Sequence, residues 1–199
     1  KWHLGAEPYS PLEQGFDVDI PHTVSGGPGR GYLAPWTFEN SDSFPSGHVG
    51  EHLEDRMAME ACRFMEEHRD EPFFLNYWAF SIHSPWSAKA DYVAACETRV
   101  DPYSQQRNPV YAAMVRSLDE AVGRLLDQID RLGLAEDTII LFFSDNGGNT
   151  HGPPATEPPG SEHIPGTSSW PLRAGKGRIY EGGVRVPMAV VWPGVIEPG

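Results

Sequence analysis

Two adjacent oxygen-bearing side chains, Asp145 and Asn146, follow the apolar run Thr138 to Phe143 and precede Gly147 and Gly148. A carboxylate beside an amide carbonyl suits a hard divalent cation, Ca²⁺ or Mg²⁺, whose preferred ligands are oxygens. The two glycines let the backbone turn sharply and leave room for a substrate. By itself Asp-Asn-Gly-Gly is also an ordinary turn, so its chemistry depends on what else reaches it. His83 closes a second apolar run, Phe73 to Phe80, and carries an imidazole suited to proton transfer near neutral pH. Lys176, set between Gly175 and Gly177, offers a compact positive charge for a tetrahedral oxyanion. Lys1 and His3 stand two apart and share a face if the segment is extended. Taken alone, that pair reads as a surface lysine and a solvated histidine.

The elements between these residues must bring them to one place. Residues from about 47 to 69 read as a helix, with Leu53, Met57, Ala61, Phe64 and Met65 on its apolar face and Glu and Arg opposite. Pro72 opens a strand, 73 to 80, whose continuous apolar character implies burial on both faces. Residues 87 to about 106 read as a short helix and a loop. The strongest periodicity runs from Asn108 to Leu134, where Tyr111, Met114, Leu118, Val122, Leu125, Ile129 and Leu132 recur at helical spacing, and Gly133 marks the stop. The helix leads into the strand at 138 to 143. Strand, helix and strand predict a βαβ unit with a parallel pair and a right-handed crossover, placing His83 and the Asp145-Asn146 pair on the same sheet edge. Residues 1 to about 46 read as long ordered loops, and 149 to 170 as a substrate-side loop whose His151 and His163 are not expected to be ligands. A further strand is expected over 184 to 192, with Pro187 marking an irregularity or an edge.

Composition narrows the function classes. The 199 residues suffice for a buried core, and 21 Gly with 19 Pro imply many ordered loops over a scaffold. A formal net charge of -13 argues against nucleic-acid binding, so an anionic substrate would need a local cluster of positive charge. Cys62 and Cys96 lack metal spacing; they read as buried thiols and exclude a disulfide scaffold. No apolar stretch reaches transmembrane length, so no membrane segment is expected. Trp36, Trp86, Trp170 and Tyr180 are candidates for stacking on a sugar or aryl group, or for core packing.

Five motifs in order, Lys1-Trp2-His3-Leu4-Gly5, His83-Ser84-Pro85, Ser117-Leu118-Asp119 with Val122 to Leu126, Ser144 to Gly148, and Gly175-Lys176-Gly177 with Glu181 to Pro187, resemble the type I sulfatases. That resemblance implies an α/β fold of the alkaline-phosphatase-like superfamily, mainly a parallel sheet flanked by helices. It implies Ca²⁺ held by Asp145 and Asn146, with Mg²⁺ possible. It implies sulfate contacts from Lys1, His83 and Lys176, proton transfer from the nucleophile by His3, and assistance by His83 as the alcohol departs. The substrate would be a sulfated small molecule or carbohydrate, and the location periplasmic or secreted.

The chain also departs from the family pattern. Type I sulfatases use a formylglycine made within Cys/Ser-x-Pro-x-Arg, which neither Cys62 nor Cys96 matches, and a further Asp pair for the metal is absent. The expectation is therefore that residues 1 to 199 are an incomplete part of one sulfatase catalytic domain, lacking the nucleophile-bearing N-terminal strands and a C-terminal subdomain, and inactive alone. Two alternatives remain open: a phosphodiesterase or phosphonate hydrolase of the same superfamily, and a non-catalytic domain that binds sulfated glycans.

Overall fold

The computed structural model describes residues 1–28, 31–38, 44–150, 166–197 and 199. Its helical layer is built from α1 (Leu53–Glu67), α2 (Ala90–Glu97) and α3 (Pro109–Arg131), inside the boundaries that the periodicity predicts. Local signals explain the ends. The His52 side chain accepts from the Glu54 amide at the start of α1, where Glu54 and Asp55 also suit the positive end of the helix. Asn108 caps α3 by accepting from the Tyr111 amide, and Pro109 occupies the first turn, where its missing N–H costs nothing.

Helix α3 packs on both α1 and α2. The line it buries is Ala113, Met114, Ser117, Ala121 and Gln128, whereas Leu118, Val122, Leu125 and Ile129 of the expected stripe are only half-buried. Small residues permit close approach of two helices, and Ala113, Ser117 and Ala121 supply it, with Met114 and Gln128 filling the contact around them. Polar ties complete the contact: Gln128 donates to Glu66 at 3.0 Å, and Asp55 of α1 receives Lys89 at 2.6 Å and Arg124 at 3.2 Å. Beneath the helices, Tyr32, Ala34 and Trp36 from the N-terminal loops join Leu53, Phe80, Ala88, Ala113 and Met114 in one core cluster. A backbone bridge between Leu33 and His52 ties that loop to the start of α1. Cys62 and Cys96 lie in α1 and α2, free and half-buried rather than fully buried.

The two strands among the described residues are β1 (Ile140–Phe143) and β2 (Met188–Val191), and they pair antiparallel, Ile140 opposite Val191 and Phe143 opposite Met188. This departs from the βαβ expectation. Residues 73 to 80 form no ladder with β1, and all of them but Ala79 line, together with Trp2, Phe16, Met57 and Phe64, a cleft of about 740 Å³. Double-sided burial is not seen either: Phe74 is 73% exposed, Leu141 65% and Phe143 64%. An apolar run on both faces needs a layer on each side, and three helices with two paired strands cover only one. The last strand is also shorter than expected. Glu181–Val184 forms a helical turn, α4, and pairing begins after Pro187, which cannot donate to a ladder.

The loop after β1 and the loop leading into α4 meet backbone to backbone. Gly147 N–H donates to Gly183 C=O at 3.0 Å and Lys176 N–H to Gly148 C=O at 2.9 Å, while Gly182 N–H to Arg173 C=O at 2.9 Å closes the second loop on itself. A β-carbon on Gly147 would collide with the Gly182 carbonyl, and one on Gly175 would come within 2.6 Å of the Gly148 carbonyl oxygen. These glycines are required because there is no space beside them. Gly147→Ala is accordingly expected to destabilise the protein by about 1–3 kcal/mol, the usual cost of overpacking, read from the midpoint of urea unfolding; an unchanged midpoint would mean that the loops do not interlock.

Candidate active site

The end of β1 presents Asp145 exposed and Asn146 half-buried. The turn is held locally: Ser144 Oγ donates to the Asn146 carbonyl at 2.9 Å, and Asn146 Nδ2 donates to the Gly147 carbonyl at 2.9 Å. With its nitrogen committed, the Asn146 amide leaves its oxygen as the end suited to a cation. The glycine interlock then carries Lys176 to this turn, since the Lys176 backbone is bonded directly to Gly148.

The 73 to 83 segment carries His83 and holds Lys1 against it. The backbone nitrogen of Lys1 donates to the Trp78 carbonyl, and the Trp2 ring stacks on Trp78 with centroids 5.3 Å apart. Five residues on, His83 N–H closes a tight turn onto the Phe80 carbonyl at 3.2 Å. His83 Nδ1 lies 2.6 Å from the Ser84 carbonyl oxygen. A carbonyl only accepts, so Nδ1 carries the hydrogen and Nε2 is left for chemistry.

Electrostatics join these four side chains. Burial lowers the Lys1 ammonium below its usual value, Lys176 lowers it further, and Asp145 opposes both. Burial likewise lowers the His83 imidazole; its bond to Ser84 opposes this, Lys1 and Lys176 add to the lowering, and Asp145 again opposes it. Lys1 and His83 thus each lie within electrostatic range of both Lys176 and Asp145, in a chain whose net charge is -13. That is the local positive charge an anionic substrate needs. His3 is exposed, with a left-handed backbone (φ 53°) and its imidazole against Gly26, where a β-carbon would lie 2.6 Å from the ring.

The remaining candidates separate by burial. Trp36 is a core residue whose indole N–H donates to the Tyr32 carbonyl at 3.0 Å, and Trp86 packs edge-on against Tyr111. Trp170 is 72% exposed in the loop that leads to Lys176, and Tyr180 carries the Arg173 guanidinium over its ring at 3.7 Å. His151 and His163 lie outside the described residues. Two residues that the motifs do not reveal hold the His83 turn. Tyr32 Oη donates to the carbonyls of Phe80 and His83, and Glu54 accepts from the Ser81 amide. Neither has a sequence signal: Tyr32 sits in an aperiodic loop, and Glu54 is an acid in a first helical turn, where acids are commonplace.

As a cation site, Asp145 and Asn146 have the right chemistry and are too few. Both donors are oxygens, as Ca²⁺ or Mg²⁺ requires, yet Ca²⁺ takes six to eight ligands. Among the described residues no group of three or more His, Cys, Asp and Glu comes together. The pair fits as part of a larger ligand set.

The Sulfatase family profile matches residues 4–198. Steryl-sulfatase of Rattus norvegicus is 35% identical over 155 residues, covering 78% of this chain and 24% of that protein. Arylsulfatase A of Homo sapiens is 31% identical over an alignment covering 100% of this chain and 40% of that protein. The chain thus spans well under half the length of these curated relatives. Among solved structures, Ps i-CgsB superposes with a TM-score of 0.62 at 26% identity, covering 92% of this chain and 34% of that one. Ps i-CgsB in complex with k-i-k-neocarrahexaose gives 0.61 at 29% identity, covering 77% of this chain and 30% of that one. The architecture is the α/β fold of the alkaline-phosphatase-like enzymes, of which the described residues form part. A profile matched over nearly the whole chain, and relatives above 30% identity aligned through it, place the chain in the sulfatase family.

Proposed function

We propose that the full-length protein carrying this chain hydrolyses sulfate esters, and that residues 1–199 are part of its single catalytic domain. The observation that supports this reading is that the Lys176 backbone is bonded to Gly148, beside the oxygen pair suited to a hard cation, with Lys1 and His83 within electrostatic range of Lys176 and Asp145. In this reading the two ammonium groups bind the sulfuryl oxygens, where charge builds as the ester bond breaks. His83, fixed by Ser84 with its hydrogen on Nδ1, presents Nε2 to the departing alcohol oxygen and passes it a proton. His3, two residues from Lys1, takes the proton of the nucleophile's hydroxyl when sulfate is expelled. A Ca²⁺ ion held in part by Asp145 and Asn146 would supply Lewis-acid charge, and a formylglycine from outside these residues the nucleophile.

Arrival of the anion sets the protonation order. In the free protein the fold opposes protonation of His83, so the imidazole is neutral at pH 7. A bound sulfate ester offsets Lys1 and Lys176, and His83 then gains the proton that it delivers. The related structure holding k-i-k-neocarrahexaose, together with the exposed Trp170, supports a carbohydrate substrate over a small aryl ester. Family membership supports a periplasmic or secreted location; among the described residues no helix is long and apolar enough to cross a membrane.

The direct experiment measures inorganic sulfate and phosphate released by the full-length protein from matched sulfate and phosphate esters, with and without chelator. Sulfate release that chelation abolishes is expected. Preferential phosphate release would move the assignment to a phosphoryl-transfer relative, and Ca²⁺ binding with no turnover to a glycan-binding domain. A second outcome concerns pH. Because His83 is held below its ordinary value, its contribution to stability is full above about pH 6.5, the unfolded value, and falls as the pH drops toward the folded value. Lys176→Gln removes one of the charges that lower it, so the His83 titration followed by NMR should move to higher pH. No movement would separate Lys176 from the site.

A further inference from the structure

The turn that carries His83 is held by more polar bonds than a four-residue reversal needs. Its own closure is one bond, His83 N–H to the Phe80 carbonyl. Around it, the Tyr32 hydroxyl shares its proton between the Phe80 carbonyl at 2.6 Å and the His83 carbonyl at 2.9 Å. Glu54 reaches the third polar atom of the turn: Oε1 accepts from the Ser81 amide at 2.8 Å, while Oε2 accepts from Tyr77 Oη at 3.0 Å. Both side chains belong to fully buried residues.

These two residues are themselves fixed to one place. The Tyr32 amide donates to Ser87 Oγ at 2.8 Å, beyond the turn, and its carbonyl accepts from Leu53 N–H at 2.8 Å and from the Trp36 indole. Its ring stacks on His52 at 5.5 Å. Glu54 is the second residue of α1, next to Leu53. The first turn of α1 therefore grips the 80 to 83 turn from two sides, through carbonyl oxygens on one and an amide on the other. Burying a carboxylate is costly, and burial does oppose ionisation of Glu54. An alanine or leucine here would avoid that cost and would leave the Ser81 amide without a partner.

We propose that Tyr32 and Glu54 are positioning residues for His83, transmitting the rigidity of α1 to the backbone turn that carries its imidazole. The inference rests on the reading of His83 as the group that protonates the leaving alcohol. Proton transfer tolerates little displacement, and a shift of about 1 Å costs on the order of a hundredfold in rate. What Tyr32 and Glu54 supply is constancy of place, not a reacting atom.

The test uses the full-length protein with Tyr32→Phe, Glu54→Ala, Glu54→Gln and His83→Ala. Tyr32→Phe keeps the ring and removes both carbonyl bonds. Glu54→Gln keeps an acceptor for the Ser81 amide and a donor for the Tyr77 oxygen, so it should rescue what Glu54→Ala loses. Two esters are compared: 4-nitrophenyl sulfate, whose phenolate leaves with little help, and phenyl sulfate, whose phenolate benefits from a proton. For Tyr32→Phe and Glu54→Ala, kcat on phenyl sulfate should fall roughly 10- to 100-fold, with a much smaller fall on 4-nitrophenyl sulfate and little change in KM. In the histidine-labelled protein, the nitrogen spectrum of His83 should show a single Nδ1–H tautomer in the wild type and Glu54→Gln, and a mixture in the other two variants. Equal losses on both esters with an unaltered His83 spectrum would overturn the proposal and leave Tyr32 and Glu54 as packing residues. If His83→Ala itself treats both esters alike, the assignment of His83 as proton donor fails, and the His83 spectra still decide whether the two residues position it.

Discussion

Two ammonium groups set where one depresses the proton affinity of the other, with an imidazole beside both, cost free energy until an anion arrives. Burial lowers the Lys1 ammonium first and Lys176 adds to it; His83 is lowered by burial and by both lysines, with Asp145 opposing in each case. A protein of net charge -13 has no general attraction for anions, so affinity for one must come from this local excess of positive charge. The fold fixes the backbones that carry these charges. Lys1 is tied through Trp78 and the stacked Trp2, and Lys176 through Gly148.

Each member of the cluster is delivered by a different kind of support. Asp145 and Asn146 sit at the end of a strand whose partner, β2, follows α4 and the Lys176 loop in sequence. The antiparallel pairing and the glycine contacts thus reinforce one another, since the same connection that returns β2 to β1 lays Gly182 and Gly183 against Gly147. His83 depends instead on the helical side of the molecule, through Tyr32 and Glu54. The site is consequently a junction between the small sheet and the helical layer, and its precision depends on both.

Much of this was legible in the sequence. Asp145, Asn146, His83 and Lys176 stood out because polar or charged residues stood at the ends of apolar runs or between glycines, and in the structure the Lys176 backbone is bonded to Gly148 beside the Asp145-Asn146 turn. Both long helices fell inside their predicted ranges because a 3.6-residue period over many turns is a strong signal. Strand pairing was not legible. An apolar run records that a segment is meant to be covered, not which segment covers it, and β1 found its partner in a distant strand rather than across the helix. The apolar stripe of α3 was legible in part: Met114 of it is fully buried, while the most buried line runs beside Leu118 and Leu125 through Ala113, Ser117 and Ala121. Glu54 was invisible because an acid in a first helical turn is ordinary on a surface, and only tertiary structure shows that this one is buried.

The central claim is that Lys1, His83 and Lys176 enclose one tetrahedral anion beside Asp145. It is tested most directly by a crystal structure of the full-length protein soaked with inorganic sulfate and Ca²⁺, with the anion located in difference density. The account predicts a sulfate within hydrogen-bonding distance of both ammonium groups and of His83 Nε2, with the cation on Asp145 and Asn146. A sulfate bound elsewhere, or Lys1 and Lys176 turned away from each other in the complete protein, would contradict it.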